Sequence, residues 1–463
     1  MIDTLTRIKK IILSFGDIII LYFSLYLTLL IRYREAVSPE RWQLHFLPFT
    51  LIFALWLIIF YINNLYDLNI ARNNTLFYAT LIKSIVWCAA LAIGFFYIFD
   101  VVIEPKTNLF INIITFSILF ALWRQSFNRI ANIQKLKNNV LIIGLNQTTL
   151  DLAVEINQKP QLGFQVMAIY NPEQKLFTNN LKTDSLENCE IINTNTPLKD
   201  LIKFKNISTI ITNINLNQNQ TVLNQLHSSL DLKITVFDLP GFLEKFTGKI
   251  PVNSIGQIWF LENIQEGNKS FYEIFKRLFD ILLSIILLLI SLPFVPLIYL
   301  LVKLNTPGPF IFKQIRVGKN SKNFLAMKIR TMHKNAEING PQWATKNDLR
   351  VTRSGKILRK TRIDEIPQLF NILRGEMSFI GPRPERPEFV KNLNAKIPFY
   401  NERHLVKPGL TGWAQINFPY GASEADALEK LQYDLYYIKN RSIMLDIAIL
   451  LKTIKTVLTG AGQ

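Results

Sequence analysis

Asp364 and Glu365 stand side by side in a segment that is otherwise cationic. Residues 313–362 hold 14 Lys or Arg and only two acids, Glu337 and Asp348. Nearby positive charge favours the carboxylate form, so the pair is expected to be ionised. An ionised carboxylate among cations that can hold phosphates suits a nucleophile or a metal ligand. A structural salt-bridge cluster produces the same charge pattern, and charge alone does not separate the two. Neighbours on a helix point about 100° apart, so the two carboxylates are expected to do different jobs: one attacks phosphorus, the other holds a metal. Upstream, Phe324–Thr331 reads as a strand with Lys328 and Arg330 on one face. Downstream, Gly381-Pro-Arg383-Pro reads as a rigid turn that fixes one guanidinium. Arg suits forked recognition of phosphate oxygens; a solvated Arg on a surface turn is the other reading.

These residues need a scaffold, and composition bounds it. A chain of 463 residues fits roughly two to four domains. It is 49% hydrophobic and 12% aromatic, with a mean hydropathy of +0.20, which argues for membrane segments and against disorder. Of the net charge of +18, residues 269–463 supply most, with 30 basic and 15 acidic side chains. Such a surface attracts nucleic acid, anionic head groups or a phosphorylated substrate. The two cysteines, Cys88 and Cys189, and the four histidines make neither a disulfide framework nor a zinc site.

Four apolar stretches follow one another at about Ile8–Ile31, Leu44–Ile62, Leu76–Phe99 and Leu109–Trp123. Each approaches the length that crosses a bilayer, and no small-residue cleavage site follows the first. Asp17 lies inside the first stretch, where an acid is either functional or near enough to the end to reach the interface. Arg7, Lys9 and Lys10 before the first stretch, and Arg124, Arg129, Lys135 and Lys137 after the fourth, place both ends in the cytoplasm. Arg32, Arg34 and Arg41 in the first loop run against that topology.

Asn139–Leu145 then reads as a buried strand. Strands at Phe164–Tyr170, Ser208–Thr212 and Lys233–Asp238, alternating with helical stretches, predict a doubly wound, Rossmann-like α/β module. Its first turn, Gly144-Leu-Asn-Gln-Thr-Thr, lacks the second and third glycines that let a pyrophosphate approach. A structural or regulatory role is favoured over nucleotide binding.

Ile281–Val302 is a further apolar stretch, of 22 residues without formal charge. Ser291, Pro293 and Pro296 interrupt its centre, where Pro removes helix hydrogen bonds. Cations flank both sides: Lys276 and Arg277 before, Lys303, Lys313 and Arg316 after. A helix broken at Ser291–Pro293 that enters one leaflet and returns satisfies both facts, with the Ser291 hydroxyl serving a freed carbonyl. A kinked spanning helix is the alternative. Beyond it, Ala427–Lys439 and Ile443–Leu458 read as helices; the second fits an amphipathic interface helix or a core helix.

Seven motifs in order now carry a resemblance: Phe275-Lys-Arg-Leu-Phe-Asp280, Gln314-Ile-Arg-Val-Gly318, Lys328-Ile-Arg-Thr-Met332, Arg362-Ile-Asp-Glu-Ile-Pro-Gln368, Phe379-Ile-Gly-Pro-Arg-Pro-Glu385, Val406-Lys-Pro-Gly-Leu-Thr-Gly-Trp-Ala-Gln415 and Tyr433-Asp-Leu-Tyr-Tyr-Ile-Lys439. With them the chain resembles the bacterial sugar transferases, the polyprenyl-phosphate hexose-1-phosphate transferases that begin surface glycan assembly. The four-helix N-terminus and α/β module resemble the large-architecture members. Asn417–Ser423 resembles a subgroup associated with exopolysaccharide loci.

The resemblance implies a re-entrant membrane helix broken at Ser-Pro, here Ser291 and Pro293 with Leu292 between them. It implies that Asp364 attacks the β-phosphate of a UDP-sugar, releases UMP and carries the phosphosugar, with Glu365 helping to hold Mg2+. Polyprenyl phosphate, such as undecaprenyl phosphate, then takes the phosphosugar. Arg383 contacts the nucleotide. Charge and motif setting assign Lys328, Arg330, Arg353 and Arg359 to phosphate neutralisation. The organisation expected is a four-helix transmembrane domain over 1–130, the α/β module over 138–262, the re-entrant helix over 270–303 and a small α/β catalytic domain over 304–463. That domain is expected on the cytoplasmic face of the bacterial inner membrane, in contact with its lipid. A nucleic-acid binder is disfavoured, for no reading helix or stacking platform is present. A homodimer, an inactive scaffold and a transferase that releases UDP stay open, as does the identity of the sugar.

Overall fold

Four apolar runs cannot all be buried as core helices of one small domain, and they fold as four long helices: α1 (Ile2–Tyr33), α2 (Pro39–Ile62), α3 (Thr75–Ile98) and α4 (Pro105–Ala131). Each is long and apolar enough to cross a membrane. The computed structural model describes residues 2–98, 105–131, 137–172, 189–193, 196–214, 216, 218–264, 269–305, 307–333, 336, 340, 342, 348–418, 421 and 423–459. Pro419, Tyr420 and Ala422 of the Asn417–Ser423 stretch, Thr306, Lys135 and Glu337 lie outside the described residues. The chain forms two compact units, Met1–Phe242 and Leu243–Gln463.

In the first unit α1 packs along α4. Asp17 does not reach the interface. It is fully buried, 2.5 Å from Nη2 of Arg124, and accepts a further bond from Trp123 Nε1 at 3.1 Å. Arg124, which reads in sequence as a flanking cytoplasmic charge, is instead the buried partner of that acid. Breaking such a pair strands a buried charge and costs about 3–5 kcal/mol. Gly16 sits where any side chain would enter the Trp123 ring, which explains the close approach of the two helices.

The same unit carries the α/β module. Its elements are β1 (Asn138–Ile143), α5 (Gln147–Gln158), β2 (Phe164–Tyr170), β3 (Glu190–Ile192), α6 (Leu198–Phe204), β4 (Ile207–Thr212), α7 (Gln220–His227) and β5 (Thr235–Asp238), followed by α8 (Leu239–Thr247). The strands form one parallel sheet in the order β3-β2-β1-β4-β5, the doubly wound arrangement that the alternation predicts. At the switch point the space beside Gly144 is taken by the Ile214 side chain. The first amides of α5 are capped by Asn146 and Thr149 in a reciprocal capping box.

The second unit begins at Leu243, within α8, and continues with α9 (Gln257–Asn263); its Ile250 and Val252 belong to the core of that unit. Next come α10 (Ser270–Ser291) and α11 (Val295–Asn305), joined by a 3-10 turn at Leu292–Phe294. Proline at the second position of α11 costs little, because the amide it lacks is unpaired in a first turn. The Ser291 hydroxyl donates to the Leu288 carbonyl at 2.9 Å.

The fold continues with β6 (Ile311–Val317), β7 (Asn323–Ile329), α12 (Arg353–Lys360), α13 (Gln368–Arg374), β8 (Ser378–Ile380), α14 (Pro387–Lys396), β9 (Gly409–Thr411), α15 (Trp413–Asn417), α16 (Glu424–Asn440) and α17 (Ile443–Thr459). β6 and β7 form an antiparallel hairpin; β8 and β9 pair in parallel. Leu369, Ile372, Phe379, Leu431, Leu435 and Ile449 are central to one core. α17 is thus a core helix on one face, while its Met444 is 79% exposed.

Candidate active site

The dyad sits on a turn that Arg362 starts. α12 ends at Lys360 with Thr361 as its C-terminal cap, and Arg362 follows with φ 58°, in the left-handed region. One 3-10 turn, Ile363–Glu365, then leads into α13. The two carboxylates therefore lie on a 3-10 turn and not on a continuing α-helix, about 120° apart by its three residues per turn. Both residues are 5% exposed.

One oxygen of Glu365 collects three cations. Its Oε1 accepts from Arg383 Nη2 at 2.8 Å and Lys328 Nζ at 3.1 Å, and lies 3.5 Å from Arg362 Nη1. Burial alone would raise this carboxyl. Arg383, then Lys328 and Arg362, outweigh it and hold Glu365 well below the usual carboxylate range. Asp364 behaves otherwise. Burial raises its pKa and the negative charge of Glu365 adds to that, while Lys328, Arg359 and Arg362 pull the other way without winning. The cationic field thus depresses one carboxyl of the pair; the other, with its Oδ1 buried and lacking a hydrogen-bond partner, is made the stronger base. Burial also lowers the Lys328 ammonium.

Of the remaining cations singled out in the sequence, Arg359 donates from Nε to Thr331 Oγ1 at 2.9 Å and acts on Asp364. Arg330 lies just past the end of β7, where strand alternation stops, and its Nη1 donates to the Pro307 carbonyl at 3.0 Å. Arg353 is exposed at the first position of α12. Neither Arg330 nor Arg353 hydrogen-bonds to the dyad.

The Gly381-Pro-Arg383-Pro turn is held by its own backbone. Gly381 N donates to Thr411 O, and Gly409 N to Pro382 O, each at 2.9 Å. A side chain at Gly381 would run into the Lys407 carbonyl. The Arg383 carbonyl accepts from Arg403 at 3.0 Å, and the Pro384 carbonyl from Arg316 at 3.1 Å. Asn371, fully buried, ties α13 to β7 beside Lys328 through Leu325 O at 2.8 Å and Met327 N at 3.1 Å. Sequence reasoning assigned no role to Arg362, Asn371 or Arg403. Arg316 and Arg362 fall in the quoted motifs, so their signal was present; Arg403 had none.

The broken helix is fastened to the same elements. Arg277 caps the end of α13 through the Ile372 and Leu373 carbonyls at 2.5 and 2.7 Å. Asp280 accepts from the Phe379 amide at 3.0 Å and the Ser378 hydroxyl at 3.1 Å. α11 packs Ile298 and Val302 against Ile329 and Leu358. An apolar cleft of about 610 Å³ opens here, lined by the broken helix and α17 and including Arg362 and Glu365 in its lining. Among the described residues no cluster of three metal-ligating side chains occurs. Two adjacent carboxylates, one with an unpartnered oxygen, suit Mg2+ when phosphate oxygens of a substrate complete its shell.

A membrane protein with a buried carboxylate pair among cations, next to an apolar cleft, is the class this geometry defines. Residues 271–460 match the family described as "Bacterial sugar transferase". The chain is 44% identical over 232 residues to the UDP-N-acetylgalactosamine-undecaprenyl-phosphate N-acetylgalactosaminephosphotransferase of Aeromonas hydrophila, covering 50% of this chain and 53% of that protein. It is 33% identical over 328 residues to the UDP-glucose:undecaprenyl-phosphate glucose-1-phosphate transferase of Klebsiella pneumoniae, covering 69% and 67%. It is 41% identical over 196 residues to the exopolysaccharide production protein PSS of Rhizobium leguminosarum bv. phaseoli, covering 41% and 98%. The match thus spans about half the length of the Aeromonas relative. The chain belongs to the bacterial sugar transferase family.

Proposed function

We propose that the protein transfers a sugar-1-phosphate from a UDP-sugar to a polyprenyl phosphate at the cytoplasmic face of the inner membrane, beginning a surface polysaccharide. The observation that carries this reading is the buried Asp364, basic and unpartnered at Oδ1, beside Glu365, four cations and an apolar cleft. The names of the relatives, which pair UDP-sugars with undecaprenyl phosphate, support the substrate classes.

In the first half-reaction an Asp364 carboxylate oxygen attacks the β-phosphorus. The bond from that phosphorus to the oxygen bridging to the α-phosphate breaks, and UMP leaves with the electron pair. In the second, a phosphate oxygen of the polyprenyl phosphate attacks the same phosphorus. The bond to Asp364 breaks, the carboxylate is restored, and a polyprenyl-diphosphate sugar departs. A covalent intermediate lets a water-soluble donor and a lipid acceptor use one centre in turn. Phosphoryl transfer depends chiefly on positioning and charge stabilisation. In this reading Arg383 and Lys328, which meet at Glu365 Oε1, hold the donor's phosphates, and Arg359 favours the charged form of Asp364. Glu365, kept ionised, would hold Mg2+ together with phosphate oxygens; the ion would supply charge neutralisation.

The broken helix is assigned a re-entrant path. Thirty-six residues run from Ser270 to Asn305; as a straight helix they would extend ~54 Å, more than a bilayer core. Instead α10 is tied to α13 and β8, α11 rests on β7 and α12, and Asn371 links α13 to β7. Both legs meeting one domain, with cations on both flanks, supports entry and return on one side.

The test is nucleotide release by detergent-solubilised protein with Mg2+, polyprenyl phosphate and a panel of UDP-sugars, beside Asp364→Asn. UMP that requires intact Asp364 is the expected result. UDP in its place would move the protein to the glycosyltransferases, and neither nucleotide would make it a scaffold.

A further inference from the structure

Arg362 occupies a position that stability alone would give to another residue. It is the first residue past the cap of α12, where a left-handed backbone is needed and glycine is the common choice. Here the chain keeps an arginine at φ 58°. Seven other non-glycine residues share that region among the described residues, so it is the placement of the Arg362 side chain, not its backbone, that sets it apart. Its charge is not required to neutralise Glu365, which already has Arg383 and Lys328 at shorter distances. Four cations, Lys328, Arg359, Arg362 and Arg383, face two carboxylates, so the centre retains positive charge for incoming anions.

The cleft supplies the second observation. Among the described residues that line it, Arg362 is the one cation. The apolar lining of the same cleft includes Leu287, Ile290, Phe294, Leu450 and Ile454. A lipid chain seated among those side chains can present its terminal phosphate to Arg362, which lines the same cleft beside Glu365. Glu365 repels a phosphate; Arg362 binds it.

We propose that Arg362 is the contact for the phosphate of the acceptor lipid, so that donor and acceptor phosphates are received by different arginines, Arg383 and Arg362. This rests on the transferase reading above and assigns one substrate of the same centre. Arg362 lines the apolar cleft and Arg383 does not, while both meet Glu365 Oε1, so the two phosphates have separate contacts at one centre.

The test separates binding from turnover. Detergent-solubilised wild type, Arg362→Asn and Arg362→Lys are titrated with farnesyl phosphate and with farnesol. Asn tolerates the left-handed backbone, so its fold is kept. Wild type is expected to prefer farnesyl phosphate, and Arg362→Asn to lose about tenfold or more of that preference with its farnesol affinity within about twofold of wild type. Arg362→Lys retains part of it. In steady state, the KM for polyprenyl phosphate rises in Arg362→Asn while that for the UDP-sugar stays near wild type. A phosphate preference that survives in Arg362→Asn, or a UDP-sugar KM that rises in step, overturns the assignment. Wild type that prefers farnesyl phosphate through Arg362 yet releases no UMP would uphold the lipid-phosphate contact and overturn the transfer reaction alone.

Discussion

Arg403 holds Arg383 by the backbone: Nη2 of Arg403 donates at 3.0 Å to the Arg383 carbonyl. The same nitrogen lies 2.8 Å from Asp434 Oδ2, and Nη1 donates to Tyr400 Oη at 2.8 Å. Asp434 is 1% exposed and Arg403 5%. The arginine that meets Glu365 is thus placed by a second, buried arginine with its own counter-charge. Asp434→Asn removes the hydrogen-bonded counter-charge of that guanidinium, at a cost of about 3–5 kcal/mol. Thermal unfolding in detergent should show a loss on the order of 10 °C. An unchanged midpoint would mean the pair is not what secures the turn.

Arg383 itself should behave as a donor-phosphate contact. Arg383→Ala is expected to lower kcat/KM for the UDP-sugar by roughly 10²–10³. Arg383→Lys, which keeps the charge but loses the planar fork, should recover only part. Full activity in the lysine variant would reduce the role of Arg383 to a point charge.

Asp364 must be ionised to attack, and its pKa is raised first by burial, with Lys328 the largest opposing influence. UMP release should therefore fail on the acid side above the pH at which an ordinary aspartate protonates. Removing the charge of Lys328 raises Asp364 further, so Lys328→Ala moves the acid limb to higher pH, and Lys328→Arg leaves it near its place. A limb that stays put, or moves down, in Lys328→Ala would refute this coupling.

His404 is buried, and desolvation, followed by the charge of Arg403, lowers its pKa from 6.5 to about 4. Between these values the unfolded chain binds the proton and the folded one does not, so stability falls as pH drops from about 6.5 to about 4 and this contribution is flat below. Its size is on the order of 3 kcal/mol. The difference in melting temperature between wild type and His404→Gln, followed across that window, isolates it; a constant difference would show that His404 does not carry the loss.

The helix path is open to chemical labelling. Phe271 and Leu304, 78% and 75% exposed, bracket the broken helix. In a background with Cys88→Ser and Cys189→Ser, single cysteines at both positions should react with an impermeant maleimide only after spheroplasts are opened. Labelling of Leu304→Cys alone in intact spheroplasts would identify a spanning helix. The double change Pro293→Ala with Pro296→Ala should push the Leu304 end across.

Much of this was legible in local pattern. The four spans, the strands β1, β2, β4 and β5, and the start of α17 follow from apolar runs and periodicity, whereas α16 begins at Glu424, three residues before the expected Ala427. Asp364, Glu365, Lys328, Arg359 and Arg383 converge as their charge and motifs imply. What was hidden is long-range. Arg124 reads as a flanking charge until Asp17, 107 residues away, is placed against it. Arg330 reads as a partner of Lys328 by alternation, but β7 ends at Ile329 and the next side chain serves the Pro307 turn. β3 is a three-residue edge strand, too short for any period. Arg362 carries no local sign that its backbone is left-handed, because glycine marks that conformation and arginine does not.

The attachments of α10 also set an order of events. Arg277 and Asp280 find their partners 95 and 99 residues later in the chain, and Lys276 reaches Tyr437 and Asp446 only after 161 and 170. At a translation speed of about 5–20 residues per second, the first of those partners is made roughly 5–20 s after the helix. Throughout that interval the broken apolar helix exists without the domain that clasps it. The ribosome therefore lays down the membrane piece first, and the soluble part matures upon it.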